Sequence, residues 1–135
     1  MISRRNFSTC AICALAGFAA SNAEAQAQAP TGIKRTVLQK TDFPDKYSSV
    51  LVLIELEPNF NVERHTHPGV ESTYVVEGGI ELTIQGQAPK AYKPGEGFQV
   101  PPSAPHSARN GDKPTKLIAT FIVERDKPLA SPAPA

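Results

Sequence analysis

Apolar residues in this chain recur at every second position, not at the three-to-four spacing of a helix face. Ile80, Leu82 and Ile84 alternate with Glu81, Thr83 and Gln85, the period of an extended strand with one apolar and one polar face. Val50-Leu51-Val52-Leu53-Ile54 is an unbroken aliphatic run suited to a strand buried on both faces. Thr73-Tyr74-Val75-Val76 is similar and stops at Gly78-Gly79, which reads as a hairpin turn. Phe98 and Val100 follow Gly95 and Gly97, and Leu117 to Val123 forms a last strong strand. Ile33–Lys40, Phe60–Arg64 and His106–Arg109 complete the expected set. Turn signals recur roughly every 8–12 residues, the rhythm of an all-β sandwich or barrel. No helix-length apolar segment of period 3.6 follows residue 30.

Composition agrees. A chain of 135 residues holds one domain at most, and 13 prolines with nine glycines disfavour a helical bundle. Gln26 to Gly32 reads as an Ala/Gln/Pro linker, and residues 127–135 as a disordered Pro/Ala tail too poor in apolar groups to pack. The folded domain is expected over 33–126. Residues 26–135 carry 12 basic and 12 acidic side chains, the whole chain's 14 and 13 less Arg4, Arg5 and Glu24. Such a balance gives no electrostatic reason to seek nucleic acid or anionic lipid.

Residues 1–25 read as an export signal. Ser3-Arg4-Arg5-Asn6-Phe7 supplies a positive start, Thr9 to Ala20 a short apolar run, and Ala23-Glu24-Ala25 or Ala25-Gln26-Ala27 a cleavage pattern. The run is too short to span a bilayer, so no membrane association is expected of the mature protein. The paired arginines resemble a twin-arginine signal, with Ser8 and Thr9 departing from that consensus. Such a signal carries folded proteins to the periplasm or beyond, often with a cofactor inside. Both cysteines, Cys10 and Cys13, lie in this segment and leave with it. The mature chain then has no disulfide, thiolate ligand or thiol nucleophile.

The three histidines carry the chemistry. In His65-Thr66-His67 the two imidazoles are two residues apart, which on extended backbone aims both at one face. Glu71 comes after the Pro68-Gly69 turn, and His106 after Pro101-Pro102-Ser103-Ala104-Pro105. Three imidazoles and a carboxylate make a mixed nitrogen and oxygen set that suits divalent metals.

Here the sequence resembles the cupin superfamily, specifically its small single-domain microbial members. His65, His67, Glu71 and Gly78 match the first motif, and Gly95, Pro101, His106 and Asn110 match the second. Two positions depart: Asn59 replaces the opening glycine of motif one, and Ser103 the glycine of motif two. The resemblance implies an all-β fold, a jelly-roll barrel or double-stranded β-helix, with ligands facing its interior. It implies metal binding by His65, His67, Glu71 and His106, turn or loop roles for Gly78, Gly95 and Asn110, and a homodimer. Tyr74, Phe98 and Phe121 are candidate substrate-binding wall residues. Thr73, Glu77 and Gln85 line the cavity only if their strands face inward.

Four protein ligands leave coordination positions open for water, dioxygen or a small-molecule substrate. Folding before export would load iron or manganese, with nickel or zinc behind them. The leading expectation is a metal-dependent, dioxygenase-like oxidoreductase acting on a small organic molecule. A sugar-acid lyase or isomerase, and a non-catalytic metal or small-ligand binding protein, are the alternatives.

Overall fold

A computed structural model describes residues 31–134, so the expected export signal and most of the linker lie outside the described residues. Ten strands, and no helix among the described residues, form two five-stranded antiparallel sheets. One sheet contains β1 (Ile33–Asp42), β2 (Tyr47–Leu56), β4 (Gly69–Glu77), β7 (Gly97–Val100) and β9 (Thr115–Glu124), in the order β1-β2-β9-β4-β7. The other contains β3 (Asn61–Thr66), β5 (Ile80–Ile84), β6 (Lys90–Tyr92), β8 (His106–Arg109) and β10 (Ser131–Pro132), in the order β10-β3-β8-β5-β6. The expected all-β jelly-roll class is therefore the observed one.

Period-two alternation fixes which residues meet between the sheets. On β2, Val50, Val52, Ile54 and Leu56 are buried, and on β9 Leu117, Ala119, Phe121 and Val123 join them. The run Val50 to Ile54 is therefore fully buried on one face only, because Leu51 and Leu53 remain half-exposed on the other. The turn at Gly78-Gly79 also differs from the sequence expectation. It joins β4 to β5, which sit in different sheets, so it is a corner between layers and no hairpin. Gly78 has φ +77°, and a Cβ there would meet the Pro114 carbonyl oxygen at 2.3 Å. Both the left-handed backbone and the close approach demand glycine.

The two departures from the cupin motifs keep the backbone that glycine would take. Asn59 has φ 58° and Ser103 φ 59°. Asn59 N donates to the Gly111 carbonyl at 2.7 Å, and Ser103 N to the His67 carbonyl at 2.9 Å. Asparagine adopts this region at modest cost, whereas serine gives up roughly 1 kcal/mol or more.

The C-terminal segment corrects the expected disordered tail. Ser131 and Pro132 pair with Thr66 and His65 of β3, while Leu129 packs against the main core. Ala133 N donates to the Arg64 carbonyl at 3.1 Å, and Arg64 Nε donates to the Pro134 carbonyl at 2.8 Å. Composition misled for two reasons: one leucine suffices as an anchor when a groove awaits it, and proline is tolerated on an edge strand.

Asn110 ties the second motif to the barrel. Its Oδ1 accepts from Phe60 N at 2.7 Å, and its Nδ2 donates to the carbonyls of Glu57 and Lys113 at 2.8 and 3.1 Å. Asn110→Ala leaves those three part-buried backbone groups without their side-chain partner. It is expected to lower unfolding stability by about 2–4 kcal/mol, read from the shift in a urea denaturation midpoint.

Candidate metal centre

Strand register places each imidazole. β3 and β8 pair as Val62↔Ala108 and then His65↔His106, with a bulge between. A bulge re-aims the side chains beyond it, and this one sets the two histidines opposite one another. Their ring centroids are 4.2 Å apart. His67 lies just past the end of β3, on the same face as His65, with ring centroids 4.8 Å from His65 and 5.1 Å from His106. The nearest ligand nitrogens of the three rings all lie within 4.8 Å of one another. The set joins two chain regions about forty residues apart, as the sequence predicted.

Backbone carbonyls fix every ring. His65 Nδ1 meets the Glu63 carbonyl at 2.7 Å, His106 Nδ1 the Ala104 carbonyl at 2.9 Å, and His67 Nδ1 the Leu129 carbonyl at 2.6 Å. A carbonyl can only accept, so each Nδ1 carries a proton, and in the neutral form of each ring the lone pair of Nε2 turns inward. A carbonyl partner on the far nitrogen is the usual support of a metal-ligating histidine.

Glu71, on β4, faces the same point. Its Oε1 accepts from Thr73 Oγ1 at 2.7 Å, and its Oε2 stands 3.1 Å from His67 Nε2 and 3.4 Å from His106 Nε2. Two lone-pair atoms do not hydrogen-bond, and buried His67 Nε2 has no hydrogen-bond partner among the described residues. A buried nitrogen and carboxylate oxygen at this distance call for a positive charge between them, either a proton on Nε2 or a bound cation. The three rings of His65, His67 and His106 could hold such a cation, with nitrogen ligands of fitting chemistry and the Glu71 carboxylate beside them.

The electrostatics match. Burial is the largest influence on the Glu71 carboxyl and alone would raise its pKa. Hydrogen bonding or positive charge at the His106 and His67 Nε2 atoms, together with the bond from Thr73, outweighs burial and holds the group below the ordinary carboxylate range. His65 is pushed down to about 4, chiefly by burial and further by His106 and His67, against the opposing bond to Glu63. Its ring therefore stays neutral and able to ligate at physiological pH.

The cluster lies in a cavity of about 600 Å³ between the sheets. Phe121 belongs to its wall and lies 4.8 Å from the His67 ring, and half-buried Phe98 also lines it. Tyr74 does not: it is 51% exposed on the outer face of β4, because Thr73 and Val75 take the inward positions. Thr73 supports Glu71, while Glu77 points outward to Lys116 at 3.2 Å and Gln85 accepts from Arg64 at 2.9 Å. Sequence reasoning missed Leu129, because a main-chain carbonyl leaves no residue-type signature.

The cation site has a pH signature and a C-terminal dependence. In metal-free protein, the unfolded chain protonates its His65 near pH 6.5 while the folded ring resists protonation down to about 4. The Glu71 shift acts with the same sign, since the unfolded carboxyl takes up its proton first. Stability of the metal-free protein should therefore fall as pH drops from about 6.5 to about 4, measured by thermal melts in a pH series. Ending the chain after Lys127 removes the Leu129 carbonyl. It should weaken zinc binding about 10–100-fold in a chelator competition titration, whereas Leu129→Gly, which keeps the carbonyl, should cost less.

A family profile described as the cupin domain matches residues 52–121. No curated protein sequence matches the chain. Among solved structures, the DMSP lyase DddQ from Ruegeria pomeroyi DSS-3 superposes with TM-score 0.66 at 18% identity, over 76% of this chain and 52% of that one. The chain thus spans about half the length of DddQ. An RmlC-like cupin from Shewanella frigidimarina NCIMB 400 gives TM-score 0.56 at 29% identity, covering 70% and 79% of the two chains. The polyketide cyclase RemF from Streptomyces resistomycificus gives 0.61 at 25%, covering 78% and 73%. With its second-motif histidine, His106, facing the His-x-His pair across one cavity, and with the family profile running from β2 to β9, the chain belongs to the cupin family.

Proposed function

We propose that the protein is an exported, metal-dependent enzyme that binds a small organic substrate beside its three histidines. The observation that carries this reading is the buried His67 Nε2 facing the Glu71 carboxylate at 3.1 Å without a hydrogen-bond partner. His65, His67, His106 and Glu71 would hold the ion, with iron or manganese proposed first and nickel or zinc behind. Such an ion supplies Lewis acidity and, where it is iron or manganese, redox activity.

The chain's own residues account for the rest. Phe121 and the apolar wall exclude water from one side of the site, and Thr73 holds the Glu71 carboxylate by donating to Oε1. Outside the cation site, Glu63 is the sole carboxylate lining the cavity among the described residues, and it is exposed. So sparse a supply of acid–base groups favours an oxygen-consuming, dioxygenase-like oxidoreductase over proton-transfer chemistry. The second reading is an oxygen-independent lyase or isomerase acting on a sugar acid or similar substrate, and the likeness to a polyketide cyclase at 25% identity supports it only in that a cyclase is not named for oxygen chemistry. Twin-arginine export to the periplasm and a homodimer complete the proposal.

An oxygen electrode separates the readings. The iron- or manganese-loaded protein should consume oxygen with a flavonoid, diketone or thiol substrate, and His106→Ala should abolish both metal content and uptake while the far-ultraviolet spectrum stays unchanged. Turnover that persists under anaerobic conditions would establish the second reading instead. A ligand recovered unchanged after saturable binding would mark a binding protein.

A further inference from the structure

The cavity that holds the imidazoles contains a second polar feature. Arg35 stands on β1 opposite Ile54 of β2, two residues after Ile33. Ile33 and Ile54 are both buried and both line the cavity, so Arg35 emerges on the same inner face and is itself part of the lining. Among the described residues Arg35 makes no ion pair and donates no side-chain hydrogen bond. The other cavity arginine, Arg64, is already engaged by Gln85 Oε1 at 2.9 Å and the Pro134 carbonyl at 2.8 Å. Lys34, beside Arg35 in sequence, points the other way to Glu55 at 3.4 Å.

Arg35 shares a wall with Ile33, Ile54, Leu56 and Phe60 and, unlike them, is a cation, which keeps solvent access there. Its five donors make no hydrogen bond to protein among the described residues and stand open to solvent or to a ligand. Partial burial already pulls its pKa down, with the Glu71 carboxylate acting in the opposite direction. The guanidinium fork matches a carboxylate in plane and spacing, and the two form parallel charge-assisted hydrogen bonds.

We propose that Arg35 anchors a carboxylate of the ligand, so that the cavity selects a small organic acid with an apolar body, its charged end on Arg35 and the rest of the molecule directed toward His65, His67 and His106. The inference rests on the cavity being the substrate site and gives that substrate its chemical class. It also assigns β1, which lies outside both cupin motifs, a part in specificity.

The test uses a matched pair of probes, 3-phenylpropanoate and 3-phenylpropanamide, which share shape and differ in charge. Their affinities are measured by calorimetry on the full chain, on Arg35→Met, on Arg35→Lys and on His106→Ala, with metal content determined for each. The acid should bind the unaltered protein at least about tenfold more tightly than the amide, in line with a charge-assisted bidentate pair. Arg35→Met should erase that preference while leaving amide binding and metal content unchanged, and Arg35→Lys should restore only part of it. Equal affinities for acid and amide, no binding of the acid up to about 10 mM, or a preference that survives Arg35→Met would each overturn the proposal. A preference lost in His106→Ala but intact in Arg35→Met would assign the anion to the cation site and overturn it likewise. Absence of metal from every variant, with the preference still dependent on Arg35, would defeat the metal-enzyme reading alone.

Discussion

Two acceptors meeting inside an apolar barrel set the terms for this molecule. The His67 Nε2 lone pair and the Glu71 carboxylate are both buried, and neither can satisfy the other. In a medium of low dielectric such an arrangement persists only with positive charge between the two groups. Everything around them serves to hold it. Thr73 fixes the carboxylate from the β4 side, and three carbonyls, of Glu63, Ala104 and Leu129, fix the tautomers of the three rings. Those carbonyls come from widely separated stretches of chain, so the ligand set is as rigid as the barrel that joins them.

Much of this was legible in the residues, for definite reasons. Alternation along Ile80 to Ile84 reports burial on one face, and it held because a sheet in a two-layer barrel has one wet side. The His-x-His spacing was informative because an extended backbone leaves little freedom in where residues two apart can point. What failed depended on partners. Period two cannot say which strand lies alongside, so the Gly78-Gly79 corner between sheets passed for a hairpin. Nor can it say which of two adjacent residues faces inward: Tyr74 is the larger and the aromatic one, but Thr73 holds the inner position. The tie between His67 and Leu129 spans sixty-two residues and involves a carbonyl that every residue possesses, so no pattern of side chains announces it.

Asn59 and Ser103 show how backbone geometry can outlast the residue that suits it best. Both stand where the family motifs have glycine, and both keep a left-handed conformation near φ 60°. At Ser103 the neighbouring histidines impose the requirement. Its N bonds the His67 carbonyl, so the turn that presents His106 is stitched directly to the chain bearing the His-x-His pair. A modest local strain is tolerated because relaxing it would pull two ligand-bearing segments apart.

The carbonyl that orients His67 belongs to the segment leading into β10, the last of the described elements in chain order. A ribosome delivers that segment after both motifs and the other nine described strands. The orientation of His67 is thus the last to be secured, when the final strand pairs with β3, whereas His65 and His106 are held by carbonyls only two residues from each ring.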